Sequence, residues 1–295
     1  MDHKSFLAGL PAPTKAALIE KSDPAGLRHL MGHFGAIVLC GILITTGVPG
    51  WWILLPVQGV LISFLFTLEH EATHKTPFAN ARLSETVGHI CGFALILPFD
   101  WFRYFHLAHH RHTNIAGQDP ELDGPDLTTR AAWLRHVSGL PYWRAQIGLM
   151  GALIAGRATA RFLPAPALPR IIAAARWMAV GYGLTLASLL VTPLLFWVWL
   201  LPALIGQPAL RLYLLAEHGD CPRVANMFEN TRTTFTNRAV RALAWNMSYH
   251  VEHHVYPAVP FHKLPVLHGL MKTELRVTAE GYAAFTNAYL GRRRM

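Results

Sequence analysis

The sequence predicts an all-α membrane protein in which four membrane-spanning helices form two hairpins, and three observations support this prediction. Of the 295 residues, 52% are hydrophobic and only 15% are charged, which is typical of membrane proteins. Two apolar blocks are each about twice the roughly 20 residues that cross a bilayer. The central turns of these two blocks contain no Lys or Arg.

Each block is interrupted near its middle by turn residues. The first block turns at Val48-Pro49-Gly50 and the second near Thr192-Pro193. Proline and glycine at these places end one helix and allow the chain to reverse. We therefore expect spans at residues 33–48, 51–69, 177–192 and 194–215.

The basic residues predict the orientation of these spans. Of the 26 Lys and Arg residues, 4 precede the first block, 11 lie between Lys75 and Arg176, and 11 lie from Arg211 onward. The positive-inside rule then places both termini and the central segment in the cytoplasm. We expect a multi-pass protein of the inner membrane if the source is bacterial. The net charge of +9 follows from this topology and does not require a nucleic acid partner.

The first 32 residues lack the basic start, apolar centre and cleavage site of a signal peptide, so we expect a cytoplasmic N-terminal segment. A third apolar stretch, from Thr86 to Phe99, is too short to span a bilayer. It ends in charged and aromatic residues. We expect it to lie along the interface or under a cytoplasmic cap.

The 17 histidines include three groups with helical spacing. Such spacing places imidazoles on one helix face, where they can converge on a metal. Each group lies beyond a span end or in a cytoplasmic segment, so the topology brings all three to one level below the membrane. A single pair would be weak support, but three groups predict metal binding. The groups are His70 and His74; His106, His109 and His110; and His250, His253 and His254.

Eight imidazoles are too many for one ion, which implies two metals. Zinc, copper, iron and nickel all accept imidazole, so ligand type alone leaves the metal open. Structural zinc sites are usually closed and contain cysteine, whereas this set leaves open positions. A ninth candidate ligand is His218, at the cytoplasmic end of the fourth span. Taken alone, it could equally be an interfacial histidine.

At these residues the sequence resembles the membrane fatty acid desaturase and hydroxylase superfamily, which is marked by three histidine boxes. The surroundings also match, and the resemblance covers about residues 33–270, leaving 271–295 as a cytoplasmic tail. The matching segments outside the boxes are Asn114 to Glu121, Asn230 to Thr234, Trp245-Asn246-Met247, Tyr256-Pro257 and Val259 to His262.

The resemblance implies four membrane helices below a cytoplasmic helical cap, with two non-haem irons held almost wholly by histidine. It also implies that His218 completes the ligand set. The expected reaction is oxidation of an unactivated C–H bond of a lipid-like substrate by O₂, with fatty acyl desaturation as the leading outcome. Within the family, the alternative is a hydroxylase or ketolase acting on a carotenoid, sphingolipid or alkane.

Acidic residues in or beside the boxes are candidates to accept hydrogen bonds from metal-bound imidazoles. These are Asp119, Glu71, Glu217 and Glu252, each of which could instead be a solvated acid. His112 is turned away from the shared face of the second box, which favours a supporting or solvent-facing position. Arg232 could contact a headgroup, a carboxylate or a redox partner, although a plain surface arginine is the more common case. We expect the remaining histidines to be structural or exposed: His3, His29, His33, His89, His136, His262 and His268.

Electrons must come from a separate protein. The three cysteines, Cys40, Cys91 and Cys221, form no cluster motif, and the sequence has no GxGxxG nucleotide fingerprint. A ferredoxin, rubredoxin or small cytochrome is implied. A different class of function is a membrane metal transporter or metal sensor. The middles of both hairpins lack charge and histidine, which counts against a transport pathway.

Overall fold

The computed structural model describes residues 1–294, so Met295, the last residue of the expected tail, lies outside it. The chain is mostly helical, with one two-stranded parallel sheet in the described part. The helices and strands are α1 (His3–Gly9), α2 (Ala12–Leu18), α3 (Asp23–Thr45), α4 (Leu54–Ser63), α5 (Leu65–Thr73), α6 (Ala81–Leu95), α7 (Phe99–His112), α8 (Arg130–Val137), α9 (Leu140–Ile154), α10 (Leu168–Ser188), α11 (Leu201–His218), α12 (Met227–Asn230), β1 (Thr233–Thr234), α13 (Arg238–Leu243), α14 (His250–Val255), α15 (Leu264–Met271), β2 (Thr278–Ala279) and α16 (Tyr282–Gly291).

Within residues 1–294, four helical segments are long and apolar enough to cross a membrane. They are Ala12–Thr45, Trp51–Thr73, Ala165–Ser188 and Phe196–His218. The prediction of a mainly helical chain with four candidate spans is thereby confirmed.

Two of these helices begin well before the predicted spans. In α3, Ser22 accepts a hydrogen bond from the Ala25 N–H and Pro24 occupies the first turn, so the helix starts at Asp23 rather than near residue 33. In α10, Pro169 lies in the first turn and the helix starts at Leu168 rather than near 177. The early turns of α3 and α10 contain arginine. A search for uninterrupted apolar residues therefore does not detect where these two helices begin.

Helices α4 and α11 approach closely through facing glycines. A Cβ built on Gly206 would lie 2.0 Å from the Gly59 carbonyl oxygen, and one built on Gly59 would lie 2.3 Å from the Pro202 carbonyl oxygen. Small residues allow membrane helices to pack at this distance. The contact matters for the site because α5 continues from α4 and α11 ends at His218.

Replacing Gly206 by Leu should therefore destabilise the protein by about 3 kcal/mol, because the new side chain overlaps the α4 backbone. The measurement is the thermal unfolding midpoint in detergent. Gly183→Leu on α10 is the matched control, since a Cβ there meets nothing within 4 Å. Equal midpoints for the two variants would contradict the proposed close contact.

Helices α6 and α7 form a hairpin that packs against α5. The last carbonyl groups of α6 accept hydrogen bonds from three other helices: Tyr182 Oη donates to Phe93 O (2.8 Å), Trp199 Nε1 to Ala94 O (2.9 Å) and Tyr142 Oη to Leu95 O (3.0 Å). Two of these donors belong to candidate spans. The third apolar stretch thus ends against membrane helices, with its terminal carbonyls satisfied.

The N-terminal half of α3 holds the turn that leads into α14. Trp245 Nε1 donates a hydrogen bond to His33 Nδ1 (3.2 Å), and the His29 ring lies 4.3 Å from the Trp245 ring. Trp245 and Asn246 both have positive φ, 51° and 60°, and the Asn246 side chain donates to Phe261 O (3.0 Å). These contacts fix the point where the third histidine group begins.

Candidate metal centre

Four elements present the nine predicted histidine ligands. Helix α5 and its C-terminal cap carry His70 and His74, α7 carries three ligands, α11 ends at His218, and α14 carries the last three. The turn between α6 and α7 lets α7 lie beside α5, and the Trp245-Asn246 turn directs α14 back onto both. Residues far apart in sequence thereby meet in one buried region.

Five of these histidines form a first group. Ligand nitrogens of all five lie within 4.8 Å of one another. His74 Nε2 is 2.9 Å from His106 Nε2, and His110 Nε2 is 3.1 Å from His253 Nε2. The members of group one are His70, His74, His106, His110 and His253.

In the second group, His109, His218 and His254 have ligand nitrogens within 4.8 Å of one another, and His250 joins them through contacts with His218 and His254. His218 Nε2 lies 3.2 Å from His109 Nε2 and 3.1 Å from His250 Nε2. His254 Nε2 is in turn 3.1 Å from His250 Nε2. The His254 ring also stacks on His110 of group one, with ring centroids 4.1 Å apart. The two groups are therefore adjacent.

These distances fit imidazoles that share a metal ion. Two nitrogens that each lie about 2.1 Å from one ion are about 3.0 to 3.4 Å apart, depending on the bond angle. His70 supports the same reading, because both its ring nitrogens are buried and have no hydrogen-bond partner among residues 1–294. Buried polar atoms usually have partners, so a missing ligand is indicated at His70.

Burial also keeps most of these rings neutral, which is the form that binds metal. It lowers the pKa of His74 to about 3, with a smaller contribution from Arg103. Burial and neighbouring imidazoles lower the pKa of His106, His110, His250, His253 and His254 well below the ordinary value.

His109 differs because carboxylates lie beside it. Burial alone would lower its pKa, but Glu121 and Asp119 together raise the pKa above the ordinary value. His109 Nδ1 lies 3.0 and 3.1 Å from the two Asp119 oxygens. Asp119 also accepts hydrogen bonds from the backbone N–H groups of Asn114 (2.7 Å) and Glu121 (3.0 Å). Asp119 therefore holds the orientation of one ligand ring and the loop after α7.

Three further groups contact the outer nitrogens of group two. Glu217 Oε1 lies 3.4 Å from His250 Nδ1. The Asn230 carbonyl oxygen lies 3.1 Å from His218 Nδ1, and Thr113 Oγ1 lies 3.2 Å from His254 Nδ1. Sequence reasoning did not assign Asn230 or Thr113. Their positions gave a signal, because Thr113 directly precedes the Asn114 segment and Asn230 begins the second segment that matches the family outside the boxes.

Two of the candidate acids lie elsewhere. Glu71 accepts a hydrogen bond from the Phe261 N–H (2.8 Å) and so holds the chain that follows α14. Glu252 accepts hydrogen bonds from Thr233 Oγ1 and His268 Nδ1, each at 2.5 Å. Each of these glutamates is one residue from a box histidine and so leaves its helix about 100° away from that ring, towards another element. His112 ends α7 outside both groups and is half-buried.

Arg232 faces inward and is not a surface arginine. Its side chain is 7% exposed and lies over the Phe285 ring. Nη1 donates hydrogen bonds to the Ala216 carbonyl (2.7 Å) and the Gly219 carbonyl (2.8 Å). Ala216 lies in the last turn of α11 and Gly219 follows its last residue, so Arg232 caps this helix end beside His218.

Replacing Arg232 by Gln should destabilise the C-terminal end of α11, because the carbonyl groups there would lose their hydrogen-bond donor. We expect a loss of about 2 kcal/mol in stability and a partial loss of bound metal. The thermal midpoint and the metal content of purified protein measure both effects. Arg223→Gln, at an exposed position, is the control. An unaltered midpoint in Arg232→Gln would argue against the capping role.

A third cluster combines Glu85, His89 and Asp100. Arg103 pairs with Glu85 at 2.8 Å, and Arg170 pairs with Asp100 at 2.7 Å. The cations already balance both carboxylates. We therefore interpret this cluster as an ion-pair network that joins the α6–α7 hairpin to α10.

Comparison with known proteins decides the family. The profile of the fatty acid desaturase family matches residues 49–285, which include all nine histidines. The chain belongs to the fatty acid desaturase family. This confirms the resemblance inferred from the histidine boxes.

Among curated relatives, this desaturase-family chain is 30% identical over 122 residues to the sn-1 oleoyl-lipid 12-desaturase of Picosynechococcus, covering 38% of the chain and 35% of that relative. It is 22% identical over 245 residues to the chloroplastic omega-6 fatty acid desaturase of Glycine max, covering 74% and 56%. It is 28% identical over 123 residues to the sn-2 acyl-lipid omega-3 desaturase (ferredoxin) of Helianthus annuus, covering 38% and 28%. The chain thus spans between about a quarter and just over half of the length of these relatives.

Proposed function

We propose that this chain introduces a double bond into an acyl chain of a lipid substrate, using O₂ and two irons held by the nine histidines. The observation that carries the proposal is the convergence of nine mostly buried imidazoles into two adjacent groups with metal-compatible spacing. Family membership supports iron rather than zinc or copper.

Bound iron would supply the activation of O₂ and the oxidation of the C–H bond. The protein residues have other tasks. Asp119 and the Asn230 carbonyl keep His109 and His218 oriented through their outer nitrogens. The half-buried ring of Phe66 and the buried ring of Phe102 pack beside His70 and His106 and limit access of water from that side.

An acyl substrate is supported by two observations. The relatives are named for activity on oleoyl lipid, acyl lipid or fatty acid. An apolar cavity of about 480 Å³ lies between α3, α4, α6 and residues 194–199. Its wall includes Leu65, five residues before His70 on the same continuous span. The cavity would suit a hydrocarbon chain, because Thr45 and Gln58 are its only polar lining residues within the described chain.

The proposed arrangement has two helical hairpins in the membrane, with both termini and the metal centre on the cytoplasmic side. The distribution of Lys and Arg supports this orientation. A separate electron donor, such as a ferredoxin, rubredoxin or small cytochrome, would then reach the site from the cytoplasm. One relative is named for ferredoxin, which supports the first of these donors.

Mass spectrometry of lipids from a host with and without expression of the chain tests the proposal. We expect new acyl species that have lost two hydrogens and that require O₂ and iron. The control is His110→Ala, which removes one ligand from group one. Acyl, carotenoid or sphingoid species that gain one oxygen would support hydroxylation instead. Metal accumulation without any lipid change would favour a transporter or sensor.

A further inference from the structure

Arg211 is a charged residue inside the fourth candidate span. Its Nε and Nη2 atoms are buried and have no hydrogen-bond partner among residues 1–294. No carboxylate oxygen of the described chain lies within 4.0 Å of the guanidinium, which packs instead over the Tyr142 ring at 4.5 Å. Arg211 as a whole is half-buried, but covered N–H groups without a hydrogen-bond partner are unfavourable, and ionisable residues within spans commonly serve function.

The charge of Arg211 affects the pKa of two neighbouring side chains. Burial lowers the pKa of His136 to about 4, and the Arg211 charge contributes to that decrease. Burial raises the pKa of Tyr142, while the charge of Arg211 opposes the increase. Because a guanidinium keeps its proton in proteins, Arg211 is a charged group at the place where α8, α9 and α11 meet.

Other unsatisfied polar atoms lie close to Arg211. Gln207, one helical turn before Arg211, has a buried side-chain amide with no partner in the described chain, and Trp143 Nε1 is likewise unpaired. Ser63 Oγ, on α4, is buried beside Gly206 and also lacks a partner within residues 1–294. Trp143 packs with Ala203 of α11 and Ile62 of α4, so these groups belong to one region.

Among these side chains the unpaired donor atoms are Arg211 Nε and Nη2, Trp143 Nε1 and Gln207 Nε2, while Gln207 Oε1 and Ser63 Oγ are unpaired and can accept. The two unpaired Arg211 nitrogens alone carry three N–H bonds. Such a set fits a compact group that carries several acceptor oxygens and a negative or strongly polar character. A hydrocarbon would leave every one of these donors unsatisfied.

We propose that Arg211, with Trp143 and Gln207, binds the carboxylate or ester end of the acyl substrate. This inference rests on the proposed function and adds a fixed anchor for the polar end of the chain. The same donors would accept a free fatty acid or the ester of a membrane lipid, since both present acyl oxygens.

The anchor would also determine which carbon is oxidised. Arg211 and His218 are seven residues apart on α11, about 10 Å along the helix axis and on nearly the same face. A polar end held at Arg211 would therefore lie at a fixed distance from the histidine groups. The position of the new double bond should therefore be counted from the polar end of the substrate, whatever the total chain length.

The test uses iron-loaded, chemically reduced full-length protein, mixed with O₂ and fatty acids of 16, 17 and 18 carbons or the phosphatidylcholines that contain them. Arg211→Gln should raise the half-saturating concentration of substrate about 10- to 100-fold, with the maximal yield and iron content nearly unchanged. Arg211→Lys should recover part of the loss. Arg144→Gln, one residue after Trp143 and exposed, is the control. Comparison of the acids with the phosphatidylcholines distinguishes the two sources of acyl oxygens.

In the wild type, a double bond that keeps its distance from the carboxyl carbon in all three chains supports the anchor. A double bond that keeps its distance from the methyl end overturns it. If Arg211→Gln and the wild type have equal half-saturating concentrations, the proposed anchor is also overturned. The unpaired donors around Arg211 would then bind water. If the wild type oxidises none of these acyl compounds, the proposed function itself fails, and this inference fails with it.

Discussion

Replacing His218 by Ala should abolish the proposed desaturation and lower the proposed iron content from about two to about one per chain. His218 Nε2 lies within 3.2 Å of both His109 and His250, so its loss removes a central donor of the four-histidine group. Group one keeps all five of its ligands and should retain its metal. Iron analysis and lipid mass spectrometry of the same preparation measure both effects.

The matched control is His112→Ala. His112 lies on α7, two residues after a predicted ligand, but outside both groups. Iron content and product yield should stay at wild-type values. If His218→Ala keeps two irons and full activity, or if His112→Ala loses them, the assignment of group two is wrong.

Asp119→Ala should lower activity by about 10- to 100-fold with a partial loss of iron. The His109 ring would lose the carboxylate that orients Nδ1, and the N–H groups of Asn114 and Glu121 would lose their acceptor. Hydrogen bonds from His109 and these N–H groups lower the Asp119 pKa although burial opposes the shift, so the residue is ionised near neutral pH.

Asp119→Asn separates charge from shape. The amide can keep one acceptor for the loop but supplies no negative charge to the imidazole, so we expect an intermediate loss. Asp123→Ala, at an exposed position in the same loop, should have little effect. Wild-type turnover and iron in Asp119→Ala would show that His109 does not depend on this contact.

The sequence allowed prediction of the eight box histidines because helical spacing and membrane topology constrain them together, whereas His218 was implied only by the family resemblance. The spacing of His106, His109 and His110 directs three rings to one face of α7, and that face is buried against α5 and α14. The division into groups of five and four was not predictable. It depends on how α7 rotates between its neighbours, which places His110 in group one and His109 in group two.

Contacts outside the boxes were predicted less well. Proximity in sequence identified Asp119 but also favoured Glu71 and Glu252, whose partners are Phe261 and His268. A carboxylate one residue from a ligand leaves the helix about 100° away, so it usually reaches another element. Arg232 illustrates the same limit, because only the tertiary structure shows that it caps α11.

Hydropathy predicted the four candidate spans but not the polar contacts that join these helices to one another. The last carbonyl groups of α6 accept hydrogen bonds from Tyr182 and Trp199, and the unpaired N–H groups of Arg211 are covered by neighbouring helices. Both features arise from contacts between helices far apart in sequence. They are therefore visible only after the helices have been placed beside one another.

The proposed desaturation is tested most directly by a single-turnover experiment on iron-loaded protein with a lipid substrate. The protein is reduced, freed of excess reductant and exposed to O₂, and double bonds are counted by mass spectrometry. Two electrons from the reduced site and two from the substrate reduce one O₂ to water, so the expected yield is about one double bond per two irons. Protein that binds two irons through these histidines and yields no double bond, or yields only an alcohol, would contradict the proposed desaturation.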